Sequence, residues 1–184
     1  NQQNQVRVFK FLPNGASFKF EELKAIKGGI GNTGLAIGPD GALYSASWGS
    51  GKGFIFRFDA ANKETHHPAR EETKKILQLV SKGQNIETLS SWLDSPDQRV
   101  RMKGQFELVK RGNDGLKALK QKLDSGTLLG KIHAIWGIGM AARKDPGKIS
   151  LIGSAWKNKE PEIIAQAAKV TGDLGQNSKE FNTE

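Results

Sequence analysis

Apolar and polar residues alternate over much of the first 60 residues, with the two-residue period of half-buried strands. Val6-Arg7-Val8-Phe9-Lys10-Phe11 is one such run. Phe18-Lys19-Phe20 resumes it after Pro13-Asn14-Gly15, a group suited to a turn. Leu35-Ala36-Ile37 leads into Gly38-Pro39-Asp40-Gly41, where proline presets φ and glycine supplies a permissive position. Ala42 to Trp48 is the return strand, Gly49-Ser50-Gly51-Lys52-Gly53 a second turn, and Phe54-Ile55-Phe56-Arg57-Phe58 the closing strand. About five short strands are too few for a closed barrel or propeller. A sheet this small and apolar on both faces needs cover, so residues 1–60 read as one blade, or a little more, of something larger.

Residues 61–70 carry no period and contain Pro68, which makes them a linker. From Glu71 the period becomes helical. Three segments align on Val100, Ile132 and Ile163, at spacings of 32 and 31 residues, and four residues after these anchors stand Gly104, Trp136 and Ala167. A two-helix repeat near that length is the signature of an α-solenoid of the HEAT type. The fold class expected is therefore α+β: a β part over 1–60, a linker over 61–70, HEAT-like helices over 71–175 and a polar, frayed tail over 176–184. In the first repeat, Ser95-Pro96-Asp97 is a helix start and Arg111-Gly112 a helix end. Between them Val100, Gly104 and Leu108 form one stripe, and Met102, Phe106 and Val109 a nearly opposite one, which predicts a helix sandwiched between neighbours. Asp114–Leu123, Leu128–Arg143, Lys148–Trp156 and Glu160–Leu174 are the following helices, Leu128–Arg143 the most buried. Trp136 is expected to be buried between consecutive repeats, and Trp92 to lie near the first repeat's core.

Composition narrows the chemistry. The chain has 184 residues, no cysteine and a formal charge of +9. Without thiols it holds no disulfide, thiolate zinc site, iron–sulfur cluster or covalent haem. No apolar run reaches the roughly 20 residues that span a bilayer, and no signal peptide is visible. The positive charge is spread along the chain, as on a solvated basic surface.

Candidate sites are weak. His66-His67 is an adjacent pair in the linker with no third ligand at a metal-binding spacing. His133 sits mid-helix between apolar neighbours and reads as structural. Gly28 to Gly34 lacks the Lys-Ser/Thr of a phosphate loop and opens no helix. Lys110, Arg111, Lys117, Lys120 and Lys122 form a basic cluster with no aromatic residues beside it for stacking, so nucleic acid is disfavoured as a partner. No general acid–base set stands out.

Two groups of residues resemble a known family. Gly38-Pro39-Asp40-Gly41-Ala42-Leu43-Tyr44, with Trp48-Gly49-Ser50-Gly51-Lys52-Gly53 and Arg57, is similar to a late propeller blade of sorbosone/glucose dehydrogenase-like proteins. Ser95 to Gly112 and His133-Ala134-Ile135-Trp136-Gly137-Ile138-Gly139 resemble the HEAT section that follows that propeller in PVC-type haem-binding, membrane-bound-dehydrogenase-like proteins. The likeness runs over about Leu35 to Gly175. It implies an exported, periplasmic or extracellular redox parent, with haem c or a quinone elsewhere in it and no cofactor in this chain. Most of the propeller and the haem motif are absent, so no catalytic, cofactor or metal residue carries over. Trp48, Val100, Arg101, His133 and Trp136 carry over only as structural or interaction positions. The partners implied are protein chains or parent domains that cover the blade. The function expected is a non-catalytic scaffold of a larger redox protein; the alternative is part of a quinone- or haem-linked sugar dehydrogenase completed by other chains, and the second alternative, from the basic charge, is a HEAT protein that binds nucleic acid.

Overall fold

A computed structural model describes residues 5–14, 17–23, 26–27, 32–49, 51–62 and 68–175. The protein is α+β. It divides into two compact units, residues 1–74 and 75–184.

The first unit holds short antiparallel sheets. β1 (Gln5–Val6) pairs with β4 (Ile26–Lys27), β2 (Phe9–Asn14) with β3 (Ser17–Glu22), and β5 (Asn32–Ile37), β6 (Leu43–Gly49) and β7 (Lys52–Phe58) form a three-stranded meander. Among the described residues these sheets close into no barrel. The run from Val6 to Phe11, expected as one strand, is divided between β1 and β2.

Helix α1 (Ala69–Gln78) opens two residues earlier than the period suggested, so Ala69 and Arg70 belong to a helix and not to a linker. Pro68 sits just outside the helix, and Glu71 and Glu72 place negative charge in its first turn, where the dipole favours it. Arg70 then reaches back over the Gly38–Gly41 turn. Its Nε donates to the Asp40 carbonyl, and its two terminal nitrogens donate to Asp59 at 2.8 and 3.0 Å. Gly41 has φ +74°, and a Cβ there would meet Arg70 Nε at 2.8 Å, so turn and latch both need glycine. Asp40 in turn accepts from Tyr44 and Arg57. His66 and His67 lie outside the described residues, as do residues 28–31 of the glycine-rich loop and the tail 176–184.

The second unit is helical: α2 (Ile86–Trp92), α3 (Gln98–Lys110), α4 (Asn113–Ser125), α5 (Leu128–Ala142), a 3₁₀ segment (Pro146–Lys157) and α6 (Pro161–Asp173). They pack in order. α2 lies on α3, α4 on α5 and the 3₁₀ segment on α6; α3 also contacts α5, and α5 contacts α6. One core runs through the unit, with Leu89, Leu93, Val100, Leu108, Leu119, Ile135, Ile138, Ile152 and Ile163 fully buried. Asp97 caps α3 by accepting from the Arg99 N–H, as the sequence signal requires.

Two expectations fail here for physical reasons. α3 is not sandwiched between apolar stripes. Val100, Gly104 and Leu108 are buried, but Met102 and Phe106 are exposed, and the second buried flank is polar: Arg101 and Gln105. The segment Lys148–Trp156 is a 3₁₀ and not an α-helix. Its buried residues Ile149, Ile152 and Ala155 recur every third position, the period of a 3₁₀ turn, while Gly147, Gly153 and the β-branched residues disfavour the α form.

Candidate functional site

The β2–β3 hairpin separates its side chains cleanly. Phe11 pairs with Phe20 across the ladder, the Pro13 backbone is in register with Phe18, and Phe9 lies two residues before Phe11. Residues directly opposed share a face, so Phe9, Phe11, Phe18 and Phe20 form one aromatic surface. Their rings meet edge to face, Phe9 on Phe20 at 5.8 Å and Phe11 on Phe18 at 6.5 Å. Lys10, Leu12, Lys19 and Glu21 take the other face. The aromatic face is not covered: Phe11, Phe18 and Phe20 are 66%, 64% and 70% exposed. Arg7 lies over Phe9 and pairs with Glu22, closing one end.

The three-stranded sheet is apolar on both faces. Leu35, Ile37 and Phe54 are exposed on one and Trp48 and Ile55 on the other. Trp48 is thus a surface residue, opposite Gly53.

In the helical unit the chain brings Arg101 of α3 and His133 and Trp136 of α5 into one row that leads toward α6. Val100 lies apart from them in the core. Arg101 is buried, and its Nη1 donates to the Ser95 and Pro96 carbonyls at 2.6 and 2.9 Å. One helical turn on, Gln105 accepts from His133 Nδ1 at 2.7 Å and offers its amide N–H to Met140 Sδ. Burial, with Arg101 nearby adding positive charge, pushes the His133 pKa down to about 4. The imidazole is neutral near pH 7 and fills a structural place. Its ring stands edge-on to Trp136 at 4.9 Å, and the Trp136 indole N–H donates to Gln166 of α6 at 2.8 Å. Gln166 is held by Glu162. Trp136 therefore does lie between α5 and α6, but half-buried, which corrects the expectation of full burial. α5 is flanked by α3, α4, the 3₁₀ segment and α6, and Ile135 and Gly137, on either side of Trp136, are the buried positions. Trp92 is buried in the core as expected.

The basic cluster is largely consumed inside the unit. Arg111 pairs with Glu107 at 3.0 Å and donates to the Lys82 and Gln84 carbonyls. Lys120 pairs with Asp124, and Lys122 with Asp94 at 2.6 Å. Burial works against the Asp94 carboxylate, but Lys122 and the Thr127 hydroxyl outweigh it and hold its pKa below the usual range. Lys110 and Lys117 remain exposed. Lys103, outside that cluster, turns inward too: Nζ donates to the carbonyls of Ile76, Leu77 and Leu79 and lies over the Trp92 ring. α3 and its C-terminal cap thus send Arg101, Lys103 and Arg111 to backbone carbonyls that precede the helix.

Gln105, Met140 and Gln166 complete the row and were not singled out from sequence. Gln105 is four residues after Arg101, and that i, i+4 pair between the Val100 and Gly104 stripe and the other polar positions of α3 is the available signal. Among the described residues no group of three or more His, Asp or Glu gathers as a metal would require, and no helix is long and apolar enough to cross a membrane. No family model, curated protein or solved structure matches the chain.

Proposed function

We propose that this chain is a non-catalytic scaffold and protein-interaction segment of a larger exported redox protein of the dehydrogenase-like class. On this reading residues 1–60 are part of a β-propeller-type blade and 71–175 a HEAT-like solenoid, with haem c or quinone chemistry housed elsewhere in the parent and the whole in the periplasm or outside the cell. The exposed phenylalanine face of β2–β3 carries the proposal. Burying a large apolar side chain stabilises by about 1.5–3 kcal/mol, and a contiguous exposed apolar surface marks a contact site. The sheet β5–β6–β7, apolar on both faces, supports the same reading. So does the ordered stacking of helix pairs, which suits a repeat scaffold.

Mass spectrometry of the protein in its source cells tests this. A mass well above the 20.1 kDa of this chain, with a Soret band in the same purified sample, is the expected result. A free, monomeric protein of this chain's mass with no co-purifying chain overturns it.

A further inference from the structure

We infer that the groove between α5 and α6 is a docking site for an acidic segment of a partner protein that carries one apolar side chain. The residues concerned are distinct from the β-sheet faces, so the inference does not depend on the redox setting.

The groove has a cavity of about 200 Å³, with Trp136, Met140, Val170 and Leu174 among its lining. That volume suits a single leucine- or phenylalanine-sized side chain. The floor is preorganised on one side and adaptable on the other. Trp136 is fixed by its hydrogen bond to Gln166 and its edge contact with His133. Met140 is unbranched and polarisable, a side chain that moulds to different apolar partners.

The rim selects charge. Of its two cations, Lys169 is already neutralised by Asp173 at 2.8 Å. Arg143 is exposed and finds no side-chain partner among the described residues. Its place at the end of α5 suits the helix dipole, yet leaves the planar guanidinium fork open to a carboxylate. One apolar slot beside one unpaired guanidinium is complementary to an apolar residue flanked by Asp or Glu. The net charge of +9 draws acidic partners at long range. Nucleic acid fits less well. The indole N–H is already bonded, and among the described cations of the groove only Arg143 lacks a carboxylate partner, so the groove meets few phosphates.

The test uses the full ¹⁵N-labelled chain and two acetylated, amidated peptides, Gly-Asp-Phe-Asp-Gly and its Lys-for-Asp counterpart. The Trp136 indole N–H resonance, assigned by its loss in Trp136→Phe, and the Arg143 amide should shift and saturate with the acidic peptide. That peptide should bind about fivefold tighter than the basic one, the upper size of an exposed ion pair. Arg143→Glu should reverse the preference and Arg143→Gln should abolish it, with the remaining spectrum unchanged. Equal binding of the two peptides, shifts confined to other residues, or larger shifts of the same resonances with oligothymidine would overturn the inference.

Discussion

His133 Nδ1 and Gln105 Oε1 meet at 2.7 Å across the contact between α5 and α3. The amide oxygen only accepts, so the neutral imidazole carries its proton on Nδ1. The folded protein holds this histidine near pKa 4 against an ordinary 6.5. Between those values the unfolded chain binds a proton that the folded one refuses, so stability is full above the window and falls as the pH drops through it. The slope that His133 contributes cannot exceed about 1.4 kcal/mol per pH unit. Urea denaturation across the window should show this fall in the wild type, and His133→Gln should flatten it.

The two tryptophans of the helical unit should differ in cost. Trp92→Ala opens a void in the core and should destabilise by about 3–5 kcal/mol. Trp136→Ala removes a half-buried ring and one hydrogen bond, and should cost about 1.5–3 kcal/mol. Denaturation midpoints in the reverse order would contradict the burial described.

Lys103→Met keeps the aliphatic stem but strips three carbonyls of their shared donor. The end of α1 should fray, with a loss of about 1–3 kcal/mol. Hydrogen exchange of the amides from Ile76 to Leu79 should quicken before that of α4 or α5.

At Gly104 a Cβ would stand 2.7 Å from the Leu89 carbonyl oxygen and 2.9 Å from Leu93 Cδ1. Backbone cannot yield as a flexible side chain can, so Gly104→Ala should cost about 1–3 kcal/mol through overpacking. Gly153→Ala, where nothing stands within 4 Å, should cost no such amount. Thermal melts of the two variants compare them directly.

Replacing Phe11, Phe18 and Phe20 by Thr keeps strand propensity and removes the exposed aromatic face. Self-association measured by sedimentation should fall, while the unfolding midpoint reported by the helical unit should hold.

Much of this was legible in the sequence where the signal is local. Asp97 marks the start of α3 because a cap bonds within its own turn. Leu116, Leu119 and Leu123 mark the buried side of α4 because their spacing repeats the helical period. Periodicity shows which residues share a stripe, but not which stripe meets a neighbour. Met102 and Phe106 are exposed while Arg101 and Gln105 are buried, because the polar pair finds partners in the Ser95–Pro96 backbone and in His133 and Met140. Gln105 thus depends on residues 28 and 35 positions away, which no local pattern reveals. The same holds for the groove, which needs α6 beside α5 before Trp136 and Leu174 share a surface.

The inward-turned cations of α3 also impose an order on synthesis. When α1 leaves the ribosome, the carbonyls of Ile76, Leu77 and Leu79 have no Lys103 to meet, since it is translated 24 to 27 residues later. The carbonyls of Lys82 and Gln84 wait 29 and 27 residues for Arg111. A nascent chain halted before α3 therefore exposes a helix end and a loop that the finished protein holds shut. Protease sensitivity at residues 76–84 in stalled chains would mark the moment at which this unit becomes closed.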